Sequence, residues 1–265
     1  MLQRRTFLLA AAPWLAAPAG AARPQAASGP LRCGADPALS TSGLARALQL
    51  GFGRDTGLAI EIVVAPALAL LEAAARGDVD VLLCNAPEAE KALEAQGLVH
   101  DRRPVAAGDF VLVGPAGSAR MLPRGLGAAS AMTRLAALAD AGPTRVRFLS
   151  ANDGSGVHLA EQRLWREAQV SPAPPWHVAA EPSIDFVGQV RQASAWALVE
   201  RGAWLARGGG GVSAAGANDP LLAEPVHVMR SFHASHPAGK FFSSWAGGAH
   251  GRAIARGHRG YRVAA

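Results

Sequence analysis

Apolar positions along this chain follow two rhythms that alternate from about residue 30 onward. A short apolar run at Pro30–Cys33 predicts a strand, and a polar stretch from Ala35 to Thr41 predicts a loop. Leu44, Leu48 and Phe52 then fall on one helix face, with Ser42 as the N-cap. Gly57 separates this helix from a strand at Ala59–Val64. Ala67–Ala75 predicts a second helix, stopped by Gly77, and Val79–Leu83 is apolar enough to lie inside a parallel sheet. A β-α-β-α-β order of this kind predicts an α/β fold with a doubly wound lobe.

Pro87–Glu90 opens a further helix, and Arg102–Val105 and Asp109–Gly114 read as two strands, the second leaving the first lobe. A second lobe is expected from about residue 115. Its elements are an Ala-rich helix at Ser130–Ala141, a strand at Arg145–Leu149 and a long helix from Ser155 to Val170, ended by the proline-rich Pro172–Pro175. A helix at Ile184–Ala193 and a strand at Trp196–Val199 follow, the strand returning towards the first lobe. Gly208–Gly211 predicts a loop, Pro225–Met229 a strand, and Ala238–Ala246 a helix continuing towards Arg256.

The amino terminus departs from this alternation. Arg4-Arg5 stands before Thr6–Leu9, an apolar stretch runs to about Ala17, and Ala19 and Ala21 give a small-x-small cleavage pattern. These features predict a twin-arginine signal peptide over residues 1–21 and a tether over 22–30, hence export to the periplasm. The apolar run is about half of the ~20 residues that a spanning helix needs.

Composition changes this picture little. The net charge of +6 includes the two signal arginines, and nearly all other cations are Arg, with Lys91 and Lys240 the two lysines. No basic run is interleaved with aromatics, which argues against nucleic acid. His233 and His236 have helical metal spacing, but Pro237 follows and no Cys or carboxylate set accompanies them, so no metal or other cofactor is expected.

Three loops follow the C-terminal ends of strands, where open α/β sheets hold ligands. The richest is Ser150–His158, where Asn152, Asp153, Ser155, Gly156 and His158 offer side-chain groups and bare N–H donors at a helix start. An ordinary capped helix, with Ser155 or Asp153 as cap, is the plainer reading of the same residues. A Ser155–His158 hydrolase pair is disfavoured, because residues three apart on a helix face each other poorly and no third group positions the histidine.

These segments resemble the periplasmic tungstate-binding proteins of ABC transporters. The family's Phe-x-Ser-Arg-Gly-Asp-Asp-Ser-Gly-Thr-His segment is matched from Phe148 to His158. Its Asp-Val-x-Leu-x-His-Ala-Pro-Glu-Ala-Glu is matched from Asp80 to Glu90. Its Arg-Arg-Pro-Val and Asp-Phe-Val segments are matched at Arg102–Val105 and Asp109–Pro115. Gly77–Asp80, Ser42–Leu44 and Arg201–Leu205 also match, collinear from residue 31 to about 205.

The resemblance implies a type II periplasmic-binding-protein fold, with two doubly wound lobes joined by a two-strand hinge near 109–114 and 196–200. The implied division is lobe 1 at 31–113, lobe 2 at 114–196, and hinge return with lobe 1 completion at 197–265. It implies a monomer that binds a small anionic solute, a tungstate- or molybdate-like oxyanion, and delivers it to a membrane permease, with no catalytic residues. The ligand candidates are Ser40, Thr41, Ser42, Arg103, Asn152, Asp153, Ser155, Gly156 and His158.

This chain departs from the family where the anion is gripped. The family's Thr/Ser-rich first loop reads Ala35–Thr41, where Asp36 and Pro37 bring an anion and a lost donor. Its Gly-Thr-Gly-Gln second loop reads Pro66-Ala67-Leu68-Ala69, and the third loop has Ala151, Gly154 and Val157 where the family has Arg, Asp and Thr. Each lost buried donor costs ~1–3 kcal/mol unless Arg103, His158 or Asn152 substitutes. The alternative function is therefore a diverged receptor with another ligand, acting as sensor or scaffold. Cys33 and Cys84 end neighbouring strands in the family's strand order, so either a rim disulfide or two buried free thiols is expected.

Overall fold

A computed structural model describes residues 29–123, 125–142, 146–209 and 219–263. The signal segment, the tether up to residue 28 and Gly210–Gly211 lie outside the described residues. The first half of the chain forms β1 (Leu31–Ala35), α1 (Pro37–Thr41), α2 (Leu44–Thr56), β2 (Ile60–Val64), α3 (Ala67–Arg76), β3 (Val81–Cys84), α4 (Pro87–Ala95) and β4 (Val99–Val113). The second half supplies α5 (Ala128–Asp140), β5 (Phe148–Ser150), α6 (Gly156–Glu167), β6 (His177–Ala179), α7 (Phe186–Ala193), β7 (Ala197–Glu200) and α8 (Arg201–Ala206). It ends in β8 (Ala223–Ser231), α9 (Ala238–Ala246) and α10 (Ala249–Gly257).

The main sheet has the order β2-β1-β3-β8-β4-β7. β1 is parallel to β2 and β3, whereas β8 runs antiparallel between β3 and β4, and β7 pairs antiparallel with β4. The parallel pair β5–β6 is bridged to the residue preceding β7 through Phe148 and Trp196. Alternation along β3 sends Val81 and Leu83 to one core and Leu82 and Cys84 to the other, which is why this strand reads as continuously apolar. Phe52, Phe242, Leu31 and Leu48 fill the first of these cores, and Leu70, Leu71 and Met229 the second. A third core in the second lobe gathers Phe110, Leu112, Met132, Phe148, Leu164, Trp165 and Trp196. Leu198, Val199, Ala203 and Leu222 belong to it as well, so β8 is the strand that carries the chain back to the first lobe. Among the described residues no helix is long and apolar enough to cross a membrane.

Several local expectations shift. The stretch expected as a loop after β1 contains α1, because Pro37 pre-sets φ at the first turn and the Asp36 side chain accepts the Ala38 N–H. Ser42 ends α1, and the residue before α2 is Gly43 at φ 86°. The Ser42 hydroxyl still accepts the Leu44 N–H at 3.3 Å, as a cap would. The two strands expected at 102–114 are one, β4, because β8 pairs with it through Ala106–Gly108 across register shifts. The last helix is two, parted at Gly247-Gly248. β6 escaped the pattern because three residues after a proline-rich segment carry no period.

The disulfide is excluded. Both cysteines are free and buried. Cys33 pairs in register with Val81, three residues short of Cys84, an offset of about 10 Å along the strand. The two side chains also lie in cores on opposite faces of the sheet. Two thiols should therefore titrate in the denatured, unreduced protein, and a mass unchanged by reduction is the expected companion result. Phe52 is fully buried and packs edge-on against Phe241, Phe242 and Trp245. Phe52→Ala should cost roughly 3–5 kcal/mol, read from the midpoint of denaturant unfolding.

Candidate functional site between the lobes

The chain after β5 turns through Asn152 and Gly154, whose φ values are 47° and 78°. The positive φ at 154 suits glycine, and a Cβ there would stand 3.2 Å from the Leu68 side chain. Ser155 then caps α6: its hydroxyl accepts the His158 N–H, and the Asp153 carboxylate accepts the Ser155 N–H at 2.9 Å. This local capping leaves the Gly156 N–H at the head of α6 for a partner from elsewhere.

That partner is Asp36. Its Oδ2 accepts the Gly156 N–H at 3.0 Å across 120 residues of sequence, while Oδ1 accepts the Ala38 N–H at 3.0 Å. The Ala67 N–H, at the start of α3, adds a weaker contribution. The carboxylate is fully buried. It thus lies among the first N–H groups of α1, α3 and α6, elements of both lobes, where helix dipoles favour negative charge. The lobes are held together here by further contacts. The Leu68 N–H donates to the Gly154 carbonyl at 3.1 Å, and Arg163 meets Glu88 at 3.2 Å. Gly156 is required by close approach, since a Cβ there would stand 2.1 Å from Asn85 Oδ1.

Beneath Asp36 lies a second acidic layer. Glu224 on β8 is fully buried and its Oε1 accepts the Asn85 amide at 2.5 Å. Glu224 Oε2 and Asn85 Oδ1 have no hydrogen-bond partner among the described residues. Glu200, at the end of β7, spends its carboxylate on the Gly202 and Ala203 N–H groups at the head of α8. Tyr261 completes the layer and donates to the Ser42 hydroxyl at 2.9 Å.

Burial dominates the ionisation of this group. Desolvation pushes Asp36 up to about 6 in spite of its N–H partners. It pushes Glu200 up to about 7, and it pushes Glu224 up as well, reinforced by the neighbouring Glu200 charge. Beside these groups a narrow cleft opens to solvent, with a cavity volume of about 20 Å³. Its walls include Asp36, Ala38 and Thr41 from the first lobe, Asp153, Ser155, Ile184 and Phe186 from the second, and Glu200 between them. Among the described residues that line it, none is Lys, Arg or His.

The structure brings together Thr41, Asp153, Ser155 and Gly156 of the sequence candidates. It does not bring in the rest. Ser40 lies along a separate groove with Arg46 and Gln49, and Ser42 is tied to Tyr261 and Leu39. Arg103 pairs with Asp101 at 2.8 Å and packs against Gly247. Asn152 is exposed, and the His158 ring turns its Nδ1 to the Gly154 N–H at 3.0 Å. No candidate donor therefore replaces the arginine absent at Ala151, itself buried. Sequence reading noticed Asp36 only as a departure, and Glu200 and Glu224 gave no local signal, since strand-borne carboxylates look like solvated positions.

The pH dependence of stability follows from these shifts. Above the ordinary carboxylate range, folded Asp36 up to about pH 6 and Glu200 up to about pH 7 hold protons that the unfolded chain has lost, and Glu224 is shifted in the same direction, so stability falls as pH rises. His100, held below its ordinary value by burial and by Arg230, opposes this in part. Glu90, where His227 and Arg102 outweigh burial, and Asp101, where Ser243 and Arg103 do so, lose stability only on stronger acidification. Moving from about pH 8 to about pH 5.5 should therefore raise the melting temperature. Asp36→Asn should flatten that rise, as read by thermal unfolding at both pH values.

Comparison with known proteins agrees with this architecture. The family described as "PBP superfamily domain" matches residues 20–228. The tungstate-binding protein TupA of Peptoclostridium acidaminophilum is 30% identical over 167 residues, which is 63% of this chain and 57% of that protein. A Haloferax volcanii relative is 35% identical over 167 residues, 62% of this chain and 47% of that protein. The chain thus spans about half the length of the curated relatives it matches. Among solved structures, a tungstate ABC transporter protein of Geobacter sulfurreducens aligns with TM-score 0.70 and 26% identity, covering 84% of this chain and 96% of its own. The molybdate-binding protein of Azotobacter vinelandii aligns with TM-score 0.64 and 16% identity over 89% of this chain and 100% of its own, a likeness of fold. With two lobes around a cleft that helix N-termini enter from both sides, and with this match over most of its length, the chain belongs to the PBP superfamily and has TupA among its homologues.

Proposed function

We propose that this chain is the solute-binding component of an ABC transporter, exported through its twin-arginine signal and acting in the periplasm as a monomer. In this reading lobe 1 (31–113, completed from β8 onward) and lobe 2 (114 to about 222) close on a small solute and present it to a membrane permease. The observation that carries it is the convergence of α3 and α6 with the β1 loop on one cleft between two separately cored lobes. Closure of lobes about a hinge is how such receptors commit to a ligand.

For the ligand, the names of the relatives point to a tungstate- or molybdate-like oxyanion. A specific observation favours the second reading, a diverged receptor with a different ligand. The cleft is lined by Asp36, Asp153 and Glu200 and by no cationic side chain among the described residues, so a free dianion would meet like charge without a counter-charge. Such a receptor serves transport, sensing or scaffolding according to the partner it meets. Calorimetry of the mature protein against tungstate, molybdate, phosphate and sulfate near neutral pH should give no binding heat. A thermal-shift screen of other small solutes should yield one that binds one-to-one and loses affinity in Ser155→Ala. If no solute shifts the protein at all, the receptor reading fails.

A further inference from the structure

An anion seat that helix N-termini of two lobes share does not normally contain part of the protein. Here it does. The Asp36 carboxylate has no exposed surface, and one of its oxygens is spent on the Gly156 N–H, which a cap for α1 does not require. Capping α1 uses only the other oxygen, through Ala38. The bond to Gly156 joins a group of the first lobe to the head of a 12-residue helix in the second. Asn85 Oδ1, on a residue with 2% of its surface exposed, abuts Gly156 without any hydrogen-bond partner among the described residues, so an added anion at this point would face a bare acceptor oxygen as well.

We infer that Asp36 is the resident anion of this cleft: the lobes close on the chain's own carboxylate in the seat an oxyanion would take, and Asp36 thereby sets specificity against free oxyanions. This rests on the receptor reading only in placing the ligand site at the cleft. The competition has a plain physical basis. A tethered carboxylate acts at an effective concentration of about millimolar or above, so a free anion must displace it before gaining any contact. An incoming anion would also lie beside Asp153 and would find no Lys, Arg or His among the described residues that line the cleft. The donors that remain are backbone N–H groups, which bind whichever carboxylate or oxyanion reaches them. Removing the Asp36 side chain should therefore expose a site of one definite chemistry, a small oxyanion or carboxylate.

The test compares full-length mature protein with Asp36→Ala and Asp36→Ser, using sodium tungstate and sodium formate as probes and chloride as the control. The expected result is no thermal shift or binding heat in the unsubstituted protein. In both variants tungstate affinity should be greater by about 100-fold or more, as the gain of charge-assisted bonds implies, and formate should raise the melting temperature where chloride does not. Should Asp36→Ala fail to fold alone, refolding that formate restores and chloride does not would support the same seat. Tungstate binding of equal strength in all three proteins would overturn the inference while leaving the receptor reading intact. Indifference of both variants to both anions would overturn it as well. A solute screen that finds no ligand for the unsubstituted protein would sink the receptor reading and leave this comparison standing.

Discussion

A carboxylate taken out of water must be given protons or donors, and the centre of this molecule is organised by that requirement. Asp36 has lost its hydration completely and recovers part of it from N–H groups at the heads of α1 and α6. Because those helices belong to different lobes, satisfying one side chain holds the lobes together. The alternative, an open cleft, would return the carboxylate to water but leave Leu68 and Gly154 without each other. The closed arrangement therefore depends on a hydrogen-bond acceptor the chain brings itself.

The acidic layer below is best understood from the same interaction. Glu224 and Glu200 sit in a region that could not hold three full negative charges at low dielectric, and burial raises the proton affinity of each. Glu200 is stabilised by capping α8, Glu224 by Asn85, and Asn85 in turn presses on the glycine that meets Asp36. The cleft floor is thus a chain of polar contacts running from β8 to α6. Neutral, protonated carboxyls are its cheapest state, and the cleft beside it offers an added dianion no counter-charge among the described residues that line it.

A solved relative superposes on this chain with TM-score 0.70, and its name, like that of a curated relative, speaks of tungstate. The family-like segments of this chain lie in its scaffold while its cleft loops depart from the family's pattern, and the contrast has a physical reason. Scaffold positions such as Val81–Cys84 and Phe110–Val113 are packed on every side, and a change of volume there is felt throughout a core. Loop residues at a strand end touch fewer neighbours, so a carboxylate such as Asp36 can be absorbed there by local donors while it reverses the preference for charge.

Much of the fold was legible in the sequence. The alternation of strand and helix, the continuous apolarity of β3 and the amphipathic face of α2 are local patterns with a local cause, and they determined the α/β class. The family-like segments at Asp80–Glu90 and Phe148–His158 located two of the cleft loops for the same reason, since strand ends and helix starts are written in adjacent residues. What the sequence could not determine is which distant groups meet. It left Arg103 and His158 as candidate donors, and only the tertiary structure turned one to Asp101 and the other to Gly154. It allowed Cys33 and Cys84 to pair, and only strand register and facing set them apart. It marked Asp36 as an oddity in a loop. Its burial and its bond to a residue 120 positions away exist only once two lobes are folded against each other, because a backbone N–H announces nothing about its partner until the chain is closed.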